Sequence, residues 1–195
     1  MLPHHIKEDM KSKSNVRWVI RIVLISIAAS MIFTLASTEV LAWAGYITSF
    51  AVLAVFIIIG IIFDIIGVAV TAATEAPFHS MAVHRECGAQ ESLKLIRNAD
   101  RVASFCNDVV GDVTGIVSGT TAGLIAARLM ESFATENLLL PLLISGAVTG
   151  LTVGGKAVGK NSAIKNSTKI MLQVGKLIHK VGRLISFLKR KPKSR

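Results

Sequence analysis

The sequence predicts an all-α, polytopic membrane protein with four transmembrane helices, a cytoplasmic juxtamembrane helical belt and a C-terminal amphipathic helix. Three observations predict it. Hydrophobic residues make up 52% of the chain and charged residues only 17%, against about a quarter charged in soluble domains. The apolar residues gather into runs of about 20, the length a bilayer-crossing helix needs. The basic residues concentrate in alternate connections, the pattern of loops that stay cytoplasmic.

The basic segment 1–16 precedes the first run and carries Lys7, Lys11 and Lys13. The four spans are expected at about 18–37, 47–73, 102–128 and 138–156 within a transmembrane domain of 17–160. The first run has a single charge, Arg21, and the second a single charge, Asp64. The third, from Val102, is the least hydrophobic and the fourth, from Leu138, has no charge before Lys156. A secretory signal peptide is the competing reading of 1–36, but the run exceeds a typical h-region and no clear cleavage site precedes a polar chain. A long soluble all-α domain is the other alternative, and it must then explain 27 residues from Ile47 broken by one acid.

The connections fix the expected topology. The first turn carries only Glu39, whereas the middle loop carries Arg85, Lys94, Arg97 and Arg101. From Lys156 onward there are twelve Lys or Arg and no acid. Both termini are therefore expected in the cytoplasm of a cell-membrane protein. The formal net charge of +10 then faces the anionic headgroups of a lipid bilayer. Nucleic acid is the other partner such charge suggests, but no aromatic reading surface accompanies it, so no nucleic-acid binding is expected. Residues 161–195 form a basic tail in which Ile170, Met171, Val174, Leu177, Ile178 and Val181 recur at helical spacing opposite Lys169, Lys176 and Lys180. This is the pattern of a helix lying in the membrane interface; packing on a soluble partner domain is the alternative.

The third run holds the chemistry. Asp108 and Asp112 stand four residues apart, followed at the same step by Gly115, Gly119 and Gly123. At about 100° per residue, both acids and the small residues fall within one arc of about 120°, opposite Val113 and Val117. Small residues every fourth position let membrane helices approach closely. Carboxylates facing lipid cost about 2.5–3.5 kcal/mol each, so they are expected to face protein, water or a cation. The second run repeats such a face with Gly60, Asp64, Gly67 and Thr71, then Thr74 and Glu75. Several carboxylates with hydroxyls and carbonyls nearby suit a hard divalent cation such as Mg²⁺. The alternative is that these acids hydrogen-bond backbone or pair with Arg21 or Lys156.

Residues 73–105, "ATEAPFHSMAVHRECGAQESLKLIRNADRVASF", resemble the transmembrane domain of the CNNM/CorC magnesium transporters. Thr74 and Glu75 match that family's Ser-Glu signature, Gly88 and Ala89 its short helical hairpin, here 76–100, and Asn98, Asp100, Arg101 and Ser104 its Asn-Pro-Asp-Arg element. Asn107-Asp108 is the counterpart of its Gly-Asn-Asn, and Gly155, Lys160, Ala163 and Asn166 match a later segment in which Lys156 and Gly159 replace a Glu and a Pro. The resemblance covers about residues 47–185. It implies Mg²⁺ or other divalent transport by a homodimer, with a cation site between membrane helices. Carried onto this chain, the metal ligands are Asp108 and Asp112, with Asn107, Glu75 and Thr74 nearby and Asp64 deeper. The family's nucleotide-binding CBS pair has no counterpart in these residues, which implies a possible separate regulatory partner. A second class of function is a non-transporting membrane scaffold or regulatory subunit that keeps the architecture.

Other motifs carry less. "GGKAVGKN", 154–161, approximates a phosphate-binding loop, but such a loop follows a strand and a membrane helix precedes it here. His84 and Cys87 lack two further zinc ligands. No nucleophile signature frames any serine, so no enzymatic activity is expected.

Overall fold

A computed structural model describes residues 4–43, 45–133 and 139–189. Among them the regular structure is entirely helical: α1 (His4–Trp43), α2 (Tyr46–Ala72), α3 (Glu75–Val83), α4 (Ala89–Ile96), α5 (Ala99–Ser104), a π-helical stretch (Phe105–Gly111), α6 (Asp112–Ser132), α7 (Leu139–Lys165) and α8 (Ser167–Lys189). Four helical stretches are long and apolar enough to cross a membrane: Trp18–Glu39, Tyr46–Ala72, Ala99–Ser132 and Leu139–Lys165. One of them overlaps each of the four expected spans. Leu138, the expected start of the fourth, lies outside the described residues.

Three boundaries differ from expectation. The helix of the first span begins at His4, so the basic segment continues it without a break. The third runs through α5 and the π-helical stretch as one 34-residue element. The fourth passes Lys156 and Lys160 and stops only at Asn166, after which α8 starts. Expected hairpin 76–100 contains α3 and α4, joined through Arg85 (φ 55°) and Gly88 (φ 85°).

The chain divides into two compact units. The first comprises Met1–Gly60 and Asp108–Thr152. Its core is Leu53, Ala122 and Ile125, flanked by Ile57, Leu129, Ile144 and Val148. α1 packs on α6, and the buried hydroxyls of Ser37 and Thr121 meet at 3.1 Å. Phe33 of α1 meets Phe56 of α2 edge-on, with ring centroids 5.8 Å apart. A Cβ added at Gly60 would lie 2.6 Å from Thr114 Oγ1, so only glycine admits α6 that close to α2. Outward, α1 presents Leu24, Met31, Ile32 and Leu35.

The second unit comprises Ile61–Asn107 and Val153–Arg195. Ala69, Val70, Phe78, Leu93, Ile96, Ala103, Ala163 and Met171 form its core. Apolar residues from α2, α3, α4, α5, α7 and α8 thus close on one another around fully buried Phe78 and Met171. α8 joins through Met171 and Gly175 on one side and leaves Leu177, Ile178, Val181, Leu184 and Ile185 exposed.

Candidate functional site

Asp64 sits eight residues before the end of α2, and its side chain is 7% exposed. α7 supplies its partners. Gly155 and Gly159 bring α7 onto Ile61 and Ile65 of α2; a Cβ at Gly159 would lie 2.6 Å from Ile65 Cγ1, and one at Gly155 would overlap Ile61. Each glycine is followed by a lysine, and the four-residue step puts both lysines on the same side of α7. Lys156 Nζ lies 3.8 Å from Asp64 Oδ1 and Lys160 Nζ 3.7 Å from Oδ2. The Gly-Lys-Ala-Val-Gly-Lys run is therefore a helix surface built to meet an acid, not a phosphate loop. Asp64 thus has the Lys156 neighbour that was one expectation for it, and Lys160 joins it. Both contacts exceed hydrogen-bond length, and Asp64 Oδ2 is buried without a hydrogen-bond donor.

Asn107 lies in the π-helical stretch, where the backbone turn widens by one residue. Its amide presses on α2 at Gly67, where an added Cβ would overlap Oδ1. Asn107 Oδ1 is likewise buried without a hydrogen-bond partner.

Thr74 and Glu75 belong to the start of α3. Thr74 is the N-cap in extended conformation (φ −99°, ψ 151°), and its hydroxyl makes no capping hydrogen bond. Glu75 Oε2 accepts a hydrogen bond from Arg97 Nε at 3.2 Å and lies 3.1 Å from His79 Nε2. The Arg97 bond, then the His79 bond, holds the Glu75 carboxyl below its ordinary value. Sequence reasoning took Glu75 as a cation ligand and missed these two partners; His79, four residues on, was a readable signal on a helix.

Asp108 and Asp112 belong to the first unit, and the other four candidates to the second. Both acids are exposed. Gly115, Gly119 and Gly123 continue their face, and an added Cβ at any of the three meets nothing within 4 Å. At these three glycines the expected close contact with a neighbouring helix is thus not made among the described residues. On the opposite flank, expected to hold Val110, Val113, Val117 and Leu124, Val113 and Val117 are buried with Thr121 and Ile125, whereas Val110 is half-buried and Leu124 exposed. Farther along, Gly119 and Gly123 border a 290 Å³ cavity that Pro141, Ser145 and Thr149 of α7 close from the other side.

The described residues contain no group of three His, Cys, Asp or Glu placed to share a metal ion. The six candidates therefore lie apart: Asp64 against the α7 lysines, Asn107 against Gly67, Thr74 and Glu75 at the start of α3, and exposed Asp108 and Asp112 where the π-helical stretch passes into α6. No family model, curated protein or solved structure matches the chain.

Proposed function

We propose that the chain is a multi-pass cell-membrane protein that handles a divalent cation, Mg²⁺ by its resemblance to the CNNM/CorC transporters, between the α6 helices of a homodimer. The observation that carries this reading is the open face of α6. Asp108, in the π-helical stretch, and Asp112, at the start of α6, are exposed, and Gly115 beside them has open space, on a flank opposite the packed one. Ionised acids left in hydrocarbon cost about 2.5–3.5 kcal/mol each. A second copy brought up along the glycines would hide them, and would set carboxylates from two chains around one space. A divalent cation offsets that repulsion, and oxygen ligands suit it. In this reading both termini are cytoplasmic, α3 and α4 form the cytoplasmic belt, and α8 lies in the interface with its lysines at anionic headgroups.

A second reading has an observation of its own. Lys156 stands where the resembling family has a glutamate, and it is spent on Asp64, while Glu75 is spent on Arg97 and His79. Acids already matched by cations describe a scaffold or regulatory subunit that waits on a separate partner. Thermal unfolding in detergent separates the two readings. Millimolar MgCl₂ raises the midpoint of the wild type, and Asp108→Asn with Asp112→Asn abolishes the rise, if α6 binds the ion. No rise with Mg²⁺, Mn²⁺ or Ca²⁺ leaves the scaffold reading.

A further inference from the structure

We infer that Lys156 and Lys160 form a headgroup site for an anionic phospholipid, whose net charge Asp64 sets at one positive unit. The inference rests on the membrane reading of the chain, but not on the divalent cation of α6. Both lysines stand on the same side of α7, four residues apart, on a helix held against α2 by Gly155 and Gly159. Neither ammonium group seats on Asp64: at 3.8 and 3.7 Å the contacts are too long for hydrogen bonds. An ammonium group has three donors, so both lysines keep donors for a further acceptor. Lys156 has 24% of its side chain exposed and Lys160 53%, so the pair opens outward through Lys160.

Charge and depth name the ligand. One carboxylate against two ammonium groups leaves a surplus of one positive charge. A phosphodiester carries one negative charge and offers an oxygen to each ammonium group, so phosphatidylglycerol brings the local sum to zero. A zwitterionic headgroup brings its own cation and leaves the surplus standing. α7 has 27 residues, about 40 Å at 1.5 Å per residue, against a hydrocarbon core of about 30 Å. It carries no charge before Lys156, so the extra length falls at the lysine end. Both ammonium groups then reach headgroup depth, where long basic side chains extend toward the interface. A free phosphate ion offers the same oxygens, but lacks the acyl chains that hold a lipid at that depth.

The test is thermal unfolding of the full chain in detergent with EDTA, titrated with phosphatidylglycerol or with phosphatidylcholine. Phosphatidylglycerol raises the wild-type midpoint saturably, and phosphatidylcholine does not. Lys160→Gln raises the half-saturating phosphatidylglycerol content about fivefold, the effect of one basic residue near an anionic surface. Lys156→Gln with Lys160→Gln abolishes the response; a full response in that variant places the headgroup elsewhere, on α8 for instance, and overturns the inference. If the lysines serve only as an ion pair with Asp64, Lys160→Gln lowers the midpoint equally in both lipids, which also overturns it. Inorganic phosphate gives no rise, and a rise equal to that with phosphatidylglycerol overturns the lipid assignment. Should the double variant not fold, the Lys160→Gln change in half-saturation still decides. EDTA removes divalent ions, so the outcome does not depend on what α6 binds. A chain that stays monodisperse without detergent contradicts the membrane reading itself; one that needs detergent but unfolds alike in the two lipids overturns this inference alone.

Discussion

Glu91 and His179 face each other across the contact between α4 and α8, with Oε1 and Nδ1 2.8 Å apart. The two residues are 88 positions apart in the chain, so this pair, with Lys176 Nζ on Glu86 Oε1 at 3.2 Å, ties α8 to the short hairpin. The His179 hydrogen bond holds the Glu91 carboxyl below its ordinary value of 4.5, with burial acting in the opposite sense. A carboxyl depressed in the folded state contributes stability that is complete above its unfolded value and is lost as pH falls through the folded one. Both side chains are partly exposed, so the pair is worth about 0.5 kcal/mol. Thermal unfolding followed downward from about pH 6 to below pH 4 is expected to show a shallower loss of stability in Glu91→Gln than in the wild type.

The same contact rests on two glycines. Gly88 has φ 85°, and a Cβ there would overlap the backbone of Lys176; a Cβ at Gly175 would overlap Ser92 Oγ. Gly88→Ala therefore combines an unfavourable left-handed backbone with a collision against main chain that cannot turn aside. A loss of at least about 2 kcal/mol is expected, with faster amide exchange in α8. Ser92 lies fully buried between Gly88 O at 2.9 Å and Met171 O at 2.8 Å. Ser92→Ala is expected to cost about 1 kcal/mol, the net value of one hydrogen bond.

How much of this was legible in sequence depends on what kind of signal each feature leaves. The spans announce themselves because about 20 apolar residues have no other common use, and the buried flank of Val113 and Val117 follows from helical periodicity. The acid positions do not follow in the same way. An angular projection assumes an unbroken α-helix, and the π-helical stretch of Phe105–Gly111 interrupts the register between Asn107 and Asp112. Periodicity also says which residues share a face but not what covers it, so the exposure of Asp108 and Asp112 was not readable. The Asp64 partners were half readable: Lys156 was one candidate partner, whereas Lys160 required knowing that α7 continues past the expected end of its span. Long-range pairs such as Glu91 with His179 leave no local pattern at all.

The open face of α6 predicts separate effects on association and on the fold. Gly115 has nothing within 4 Å of an added Cβ, so Gly115→Leu meets no clash inside one chain and gains helix propensity of about 0.8 kcal/mol or less. Unfolding of the protomer is expected to be unchanged or slightly later. A dimer built on this face would be blocked by the added side chain. Light scattering in detergent is expected to show a dimer for the wild type and a monomer for Gly115→Leu; a dimer in both places the interface elsewhere.

The α7 glycines divide into two kinds, and substitution should separate them. Gly146, Gly150 and Gly154 have open space where a Cβ would stand, whereas Gly155 and Gly159 have Ile61 and Ile65. The difference follows the packing, not the composition: the same residue repeats along one helix, but of these five glycines only Gly155 and Gly159 turn toward α2. Gly150→Ala is expected to be neutral or to stabilise by up to about 1 kcal/mol through helix propensity. Gly159→Val is expected to cost about 1–3 kcal/mol, since a branched side chain must force Ile65 aside. It should also draw Lys156 and Lys160 away from Asp64, because the glycines set how near α7 comes. Thermal unfolding of the two variants checks the first pair of expectations. Carbodiimide labelling of Asp64, scored by mass spectrometry, checks the last, with Gly159→Val labelled more than wild type as α7 stands farther off and uncovers the carboxylate.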